Sequence, residues 1–210
     1  MTMPPTPRRP VMLDAVALDS FAQEHLDPAV ITQVAHDTAA IVVGTGRARQ
    51  DPELTARLVA LVDEIGLSTV AELWAARPAR SLPGALWRLY VLREWVRRDA
   101  LSASEDYRDG LGYAQVSGAI AGVGSPPGPE EVRALADAIL TGVFEGDLDG
   151  ALYRAAAFCR VVAAGRASRD AAGPIESLSV PGLAGGAAQV ATMADDLAAC
   201  ASLWRRDSLT

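Results

Sequence analysis

The residues that could carry acid–base or metal chemistry are few. Histidine occurs twice, as His25 and His36. Asp27-Pro28 lies between them and starts a new helix, so the two imidazoles cannot share one continuous helix face. The chain has no Glu-x-x-His pair for a di-iron site and no His-Glu-x-x-His for zinc. His36 falls opposite the apolar positions of its own helix, and both histidines read as surface residues. Cys159 lies on an apolar helical stripe and Cys200 at the edge of another, the usual place for a small buried thiol. There is no Gly-x-Ser-x-Gly elbow. The stretch Gly44-Thr45-Gly46-Arg47 lacks the length, lysine and hydroxyl of a phosphate-binding loop. No catalytic residue, no cofactor and no metal site is expected.

Two clusters of charge remain. In the turn EGDLDG, Glu145, Asp147, Asp149 and Gly150 occupy the first, third, fifth and sixth positions of a calcium loop, and the turn resembles an EF-hand. Ala156 stands at the twelfth position, which needs a bidentate glutamate, so calcium binding is not expected. The carboxylates instead suit the N-terminus of the following helix. The second cluster is basic. Arg77, Arg80, Arg88, Arg93, Arg97 and Arg98 face only Glu94 and Asp99 in the local sequence, and these six arginines are the candidate interaction or anion-binding residues. Arg93 differs from the others because it falls inside an apolar stripe. Burying an unpaired guanidinium costs several kcal/mol, on the order of the penalty for any ion. Glu94 points about 100° away on a helix, so the expected partner is a carboxylate from another helix, with an anionic ligand as the alternative.

The element that holds these arginines is the stretch Ser81–Asp99. Ser81 is an N-cap and Pro83 falls in the first turn. Leu82, Ala85, Leu86, Leu89, Leu92 and Val96 form one stripe, while Trp87, Val91 and Trp95 lie on the far side. A helix apolar nearly all round belongs inside a domain. Upstream, the pattern predicts a helix over 11–26 and a second from Asp27-Pro28 to Val43, with Ile31, Val34, Ala35, Thr38, Ile41 and Val42 on one face. The loop GTGRARQ follows, and a helix begins at Asp51-Pro52 with Leu54, Leu58, Leu61 and Ile65 in register. Capping boxes are expected at Ser68 or Thr69 with Glu72, and at Ser102 with Glu105. Downstream, a helical hairpin has two stripes: Val132, Leu135, Ala136, Ile139, Leu140 and Val143, then Leu152, Ala155, Ala156, Cys159, Val162 and Ala163. Residues 167–188 read as a loop, and a last helix carries Val190, Met193, Ala194, Leu197, Ala201 and Trp204.

The fold class is therefore all-α, a multi-helix bundle of about eight or nine helices. Residues 1–10 form a disordered tail, 11–123 an N-terminal helical half, 124–129 a Pro/Gly linker, and 130–206 a C-terminal half. Half of the 210 residues are apolar but only 5% are aromatic, so the core is built mainly from Ala, Leu and Val. The net charge of −7 disfavours a general nucleic-acid binder, which needs a broad basic surface. No apolar run is long enough for a membrane span, and a cytoplasmic protein is expected.

The run Thr69, Val70, Leu73, then Ser81, Gly84, Leu86, Trp87, Arg88 and Tyr90, preceded by the helix from Leu54 to Gly66, resembles the helix-turn-helix of tetracycline-repressor-type regulators. Trp74 stands where that family has a small residue, and Pro78 where it has the turn glycine. The resemblance implies a DNA-binding transcriptional regulator. The first expectation from the residues themselves is different: a non-catalytic regulatory or adaptor protein that binds a protein partner, or itself, through a surface. An enzyme with a helical pocket and no linear motif is the third reading.

Overall fold

The computed structural model of the chain describes residues 27–122, 127–172 and 186–210. The tail 1–10, the helix expected over 11–26 with His25, residues 123–126 of the Pro/Gly break and residues 173–185 of the expected loop lie outside them. Among the described residues there are ten helices and no strand, so the protein is an all-α multi-helix bundle. In chain order they are α1 (Pro28–Arg49), α2 (Pro52–Val59), α3 (Leu61–Ile65), α4 (Leu67–Trp74), α5 (Leu82–Arg98), α6 (Ala100–Leu111), α7 (Gln115–Ala121), α8 (Pro129–Glu145), α9 (Leu148–Ala172) and α10 (Ala187–Trp204). None of them is long and apolar enough to cross a membrane.

Side-chain caps place several of the starts. Asp27 accepts from Ala29 N–H, Asp51 from Glu53 N–H and Ser81 from Gly84 N–H, each next to a proline in the first turn. Five boundaries differ from expectation, the first being that the helix expected to run from Asp51-Pro52 to Ile65 breaks at Ala60 into α2 and α3. α1 does not stop at Val43 but runs through both glycines of GTGRARQ to Arg49, ending on Gln50 at φ 44°. Gly46 explains this: a Cβ there would lie 2.9 Å from that of Phe144, so the glycine lets α1 seat closely on α8. Neither capping box forms. α4 starts on Gly66 (φ 85°), with Thr69 Oγ1 donating back to Ile65 O, and Asp99 caps α6 by accepting from Ser102 N–H. α9 also continues past Gly165, through the first residues of the expected loop, to Ala172.

Two helices make the centre. In α5, twelve of seventeen residues are buried, and its whole predicted stripe is among them. α9 packs against α6, α7, α8 and α10, and its predicted stripe (Leu152 to Ala163) is entirely buried, as is the α8 stripe. α6 and α9 cross at two glycines. A Cβ on Gly110 would stand 1.8 Å from Val161 O, and one on Gly165 would stand 1.9 Å from Asp106 O. The close crossing stacks Tyr107 on Phe158, with ring centroids 5.3 Å apart. It also brings Arg166 Nε to 2.7 Å from the buried Asp106 carboxylate, which Arg169 meets as well. Both cysteines are buried, as expected; burial pushes their thiols up to about 12 for Cys159 and about 11 for Cys200.

α1 and the helices after it sit in a different register from the one the apolar pattern predicts. The buried face of α1 is Ala35, Ala39, Val43 and Gly46. Relative to the expected face it is turned by roughly 100°, about one residue's step. Val30, Ile31, Val34 and Ile41 consequently face outward, Ile41 at 64% exposure. The choice follows closeness of approach: small residues let α1 lie against α8, and Trp74 anchors it from the other side. Trp74 is buried, stacks on Tyr90 and donates its indole N–H to Thr38 Oγ1 at 3.2 Å. In α2 and α3 the fully buried residues are Thr55, Val59 and Val62, while Leu54, Leu58 and Leu61 of the expected stripe are half-buried and Ile65 is exposed.

Candidate functional site

The six candidate arginines do not gather on one face. Arg80 and Arg88 reach Asp196 of α10, at 3.1 and 3.7 Å. Arg88 also donates to Gly84 O, and Arg98 pairs with Glu94 one turn back. Arg93, 5% exposed, donates through Nε to Asp137 of α8 at 2.6 Å and reaches Asp63 of α3 at 3.4 Å. Arg97 meets the same Asp63. The guanidinium inside the stripe is thus held by carboxylates of two other helices. Burial acts to raise the Asp63 pKa, but the bonds and charges of Arg97 and Arg93 outweigh it and hold the carboxyl below its usual value.

Arg93→Met should therefore destabilise the protein at neutral pH by about 1–3 kcal/mol. Asp63 and Asp137 are near enough to solvent, with side chains 39% and 47% exposed, to rehydrate once the cation is gone. A lowered folded-state pKa contributes stability above the ordinary carboxylate value, and that contribution is lost as pH falls through the folded value. The deficit of Arg93→Met should accordingly be full near pH 7 and shrink below about pH 4. Denaturant titrations at several pH values check this.

Arg77 differs from the other five. No carboxylate lies within ion-pair distance of it among the described residues. One of its terminal nitrogens donates to Thr32 Oγ1 at 2.7 Å, and its Nε is buried without a partner. Thr32 leads to a cleft of about 640 Å³ running along α1 between the start of α5 and the end of α10. Thr32, Gln33, His36 and Asp37 line one end, where Gln33 donates to Asp37 at 2.8 Å. Ala40, Val43 and Gly44 form the floor, and Arg47 closes the other end. Leu82, Trp204 and Leu209 make the opposite apolar wall. That wall is tied in place by Leu82 N–H, which donates to the main-chain oxygen of Thr210 at 2.9 Å.

The cleft was invisible to motif reasoning. The signal for it is the spacing of Thr32, His36, Ala40, Val43 and Arg47, a second α1 face of small residues with polar ends. His36 is half-buried on that face rather than fully in solvent. The EGDLDG turn is committed elsewhere. Asp147 accepts from Gly150 N–H, Asp149 pairs with Arg205 at 2.7 Å, and Ala156 is in the core. Among the described residues no group of three His, Cys, Asp or Glu is placed to hold a metal. In the helix-turn-helix-like stretch, Ser81, Gly84, Leu86 and Tyr90 are buried, and Trp87 and Arg88 are half-buried. Gly84 is a glycine because a Cβ there would sit 2.0 Å from Pro78 O.

The chain matches no protein-family model, no curated protein and no solved structure.

Proposed function

We propose that this is a non-catalytic helical regulatory or adaptor protein that works through a protein-binding surface, and that the surface is the outward stripe of α1. The observation that carries the reading is the exposure of Val30, Ile31, Val34 and Ile41 along one side of a 22-residue helix. Each is a branched residue with good packing value, and each is between 36% and 64% exposed. α7 also shows Val116 and Ile120 to solvent, but it has only seven residues, too short a helix for a comparable seam.

The occupant we propose for the stripe is a second copy of the chain. Val34 and Ile41 are seven residues apart, the repeat of a helix–helix seam. Charge complementarity favours the antiparallel arrangement: Asp27 stands at the N-terminal end of α1 and Arg49 in its last turn, so a two-fold axis near the middle of the helix brings each acid beside the partner's base. Such a contact is self-complementary, as a two-fold interface must be.

Light scattering on the purified chain tests this. The wild type should show the mass of two chains at micromolar concentration. Ile41→Glu should show the mass of one, because a carboxylate at the seam cannot be desolvated cheaply. Ile120→Glu, on α7, should leave the mass at two chains. A wild type of single-chain mass, or loss of association in Ile120→Glu alone, overturns the proposal.

A further inference from the structure

We infer that the cleft along α1, on a face between its buried face and its outward stripe, is a binding site for an elongated organic anion, an amphiphile of the fatty-carboxylate class. Its volume, about 640 Å³, lies within the range of about 300–1,000 Å³ typical of small-molecule sites. The shape is set by the helix. His36 and Arg47 lie on one face, eleven residues and so about 16 Å apart along the axis. The ends are polar and the middle is apolar and low: Ala40, Val43 and Gly44 form the floor, and Leu82 and Trp204 the facing wall. A thin apolar chain fits such a floor better than a polar or bulky ligand does.

The sign of the head group comes from Arg47. Among the described residues it makes no ion pair and no hydrogen bond, although most of the described arginines are paired with carboxylates. Arg47 lines the end of the cleft, and its side chain runs on past Gly146 at the start of the α8–α9 turn. A carboxylate there completes a charge-assisted bond that the fold leaves unmade. Of the acceptors in the cleft, Asp37 is at the far end and already accepts from Gln33, and the main-chain oxygen of Thr210 accepts from Leu82 N–H on the opposite wall.

Gly44 makes the idea testable without damaging the fold. No atom lies within 4 Å of where its Cβ would stand, and it lines the cleft. Leucine at this position fills the middle of the cleft while favouring the helix over glycine.

The experiment is titration calorimetry of the full chain with dodecanoate below its micelle concentration, with dodecanol as the uncharged control. Wild type should bind one dodecanoate saturably, and dodecanol about tenfold more weakly or less. Gly44→Leu should bind dodecanoate at least about tenfold more weakly, with a thermal transition no lower than wild type's as proof that it is folded. Arg47→Gln should bind dodecanoate and dodecanol alike. The inference is overturned by absence of saturable binding to wild type, by dodecanol binding as tightly as dodecanoate, or by a folded Gly44→Leu that binds as wild type does. None of these readings depends on whether the chain self-associates.

Discussion

Gly165→Ala should destabilise the protein by about 3–4 kcal/mol, a loss large for a single methyl group. The methyl would stand 1.9 Å from Asp106 O and 2.8 Å from the Asp106 carbonyl carbon, and both are main-chain atoms of a packed helix that cannot rotate away. α6 and α9 would have to part by more than 1 Å (roughly what normal contact distances require). That movement loosens the Tyr107–Phe158 stack and the bond from Arg166 to Asp106 together. The gain from replacing a helical glycine by alanine, about 1 kcal/mol, offsets only part of it. In a chain of this size the midpoint of thermal unfolding should fall by roughly 10 °C. Gly112→Ala is the matched control, because no atom lies within 4 Å of its Cβ position and its backbone is already right-handed. It should unfold at or slightly above the wild-type temperature. Calorimetry of the two variants checks both statements, and equal transitions would show that the crossing is looser than its geometry.

Trp74→Ala should cost about 3–5 kcal/mol, the usual range for emptying a buried tryptophan site. The side chain is 2% exposed and stacks on Tyr90 with centroids 6.2 Å apart. Tyr90 itself donates to Leu58 O at 2.6 Å, so the stack links α4, α5 and the end of α2. Trp74 also donates to Thr38, the one contact among these that holds α1. Trp74→Phe separates the two contributions: it keeps most of the apolar volume and loses the indole N–H, and about 1–2 kcal/mol should go with it. Urea titration of both variants is the measurement. A loss below about 1 kcal/mol in Trp74→Ala would mean that α1 is not anchored here, and the outward register of its stripe would lose its structural cause.

How far the fold was legible in the sequence depends on residue size. Where large aliphatic side chains repeat with helical period, as in α5 and α8, the stripe read from the chain is the stripe that is buried, and in α10 Val190, Ala194, Leu197 and Ala201 are buried while Met193 and Trp204 are half-buried. Where small residues decide, the reading failed. α1 offers Ile31, Val34 and Ile41 on one side and Ala35, Ala39 and Gly46 on another, and the fold buries the small set because it permits close approach to α8. Hydrophobic periodicity weighs a residue by its transfer energy; close packing weighs it by the distance it permits between backbones. The same physics extended α1 across two glycines and α9 beyond Gly165. The pairing of Arg93 was legible, since an arginine within a buried stripe needs a carboxylate from elsewhere, but which helices supply Asp63 and Asp137 was not. The cleft was not legible either, because its wall joins α1, the start of α5 and residues after α10, segments that only the tertiary fold brings together.

The most direct test of the protein-binding surface is a disulfide between two chains across it. In the antiparallel arrangement Val34 of one α1 lies opposite Ile41 of the other. Val34→Cys and Ile41→Cys chains, mixed in equal amounts under mild oxidation near pH 8, should form the mixed two-chain disulfide. Cys159 and Cys200 should stay silent, since both are buried and their thiols are raised to about 12 and about 11. Ile120→Cys, equally accessible on α7, should remain a free thiol under the same conditions. A Val34–Ile41 bridge that forms well ahead of any Ile120→Cys bridge is the predicted result. Bridges on α1 that form no faster than those at Ile120→Cys would contradict the proposal that this stripe is where the protein meets its partner.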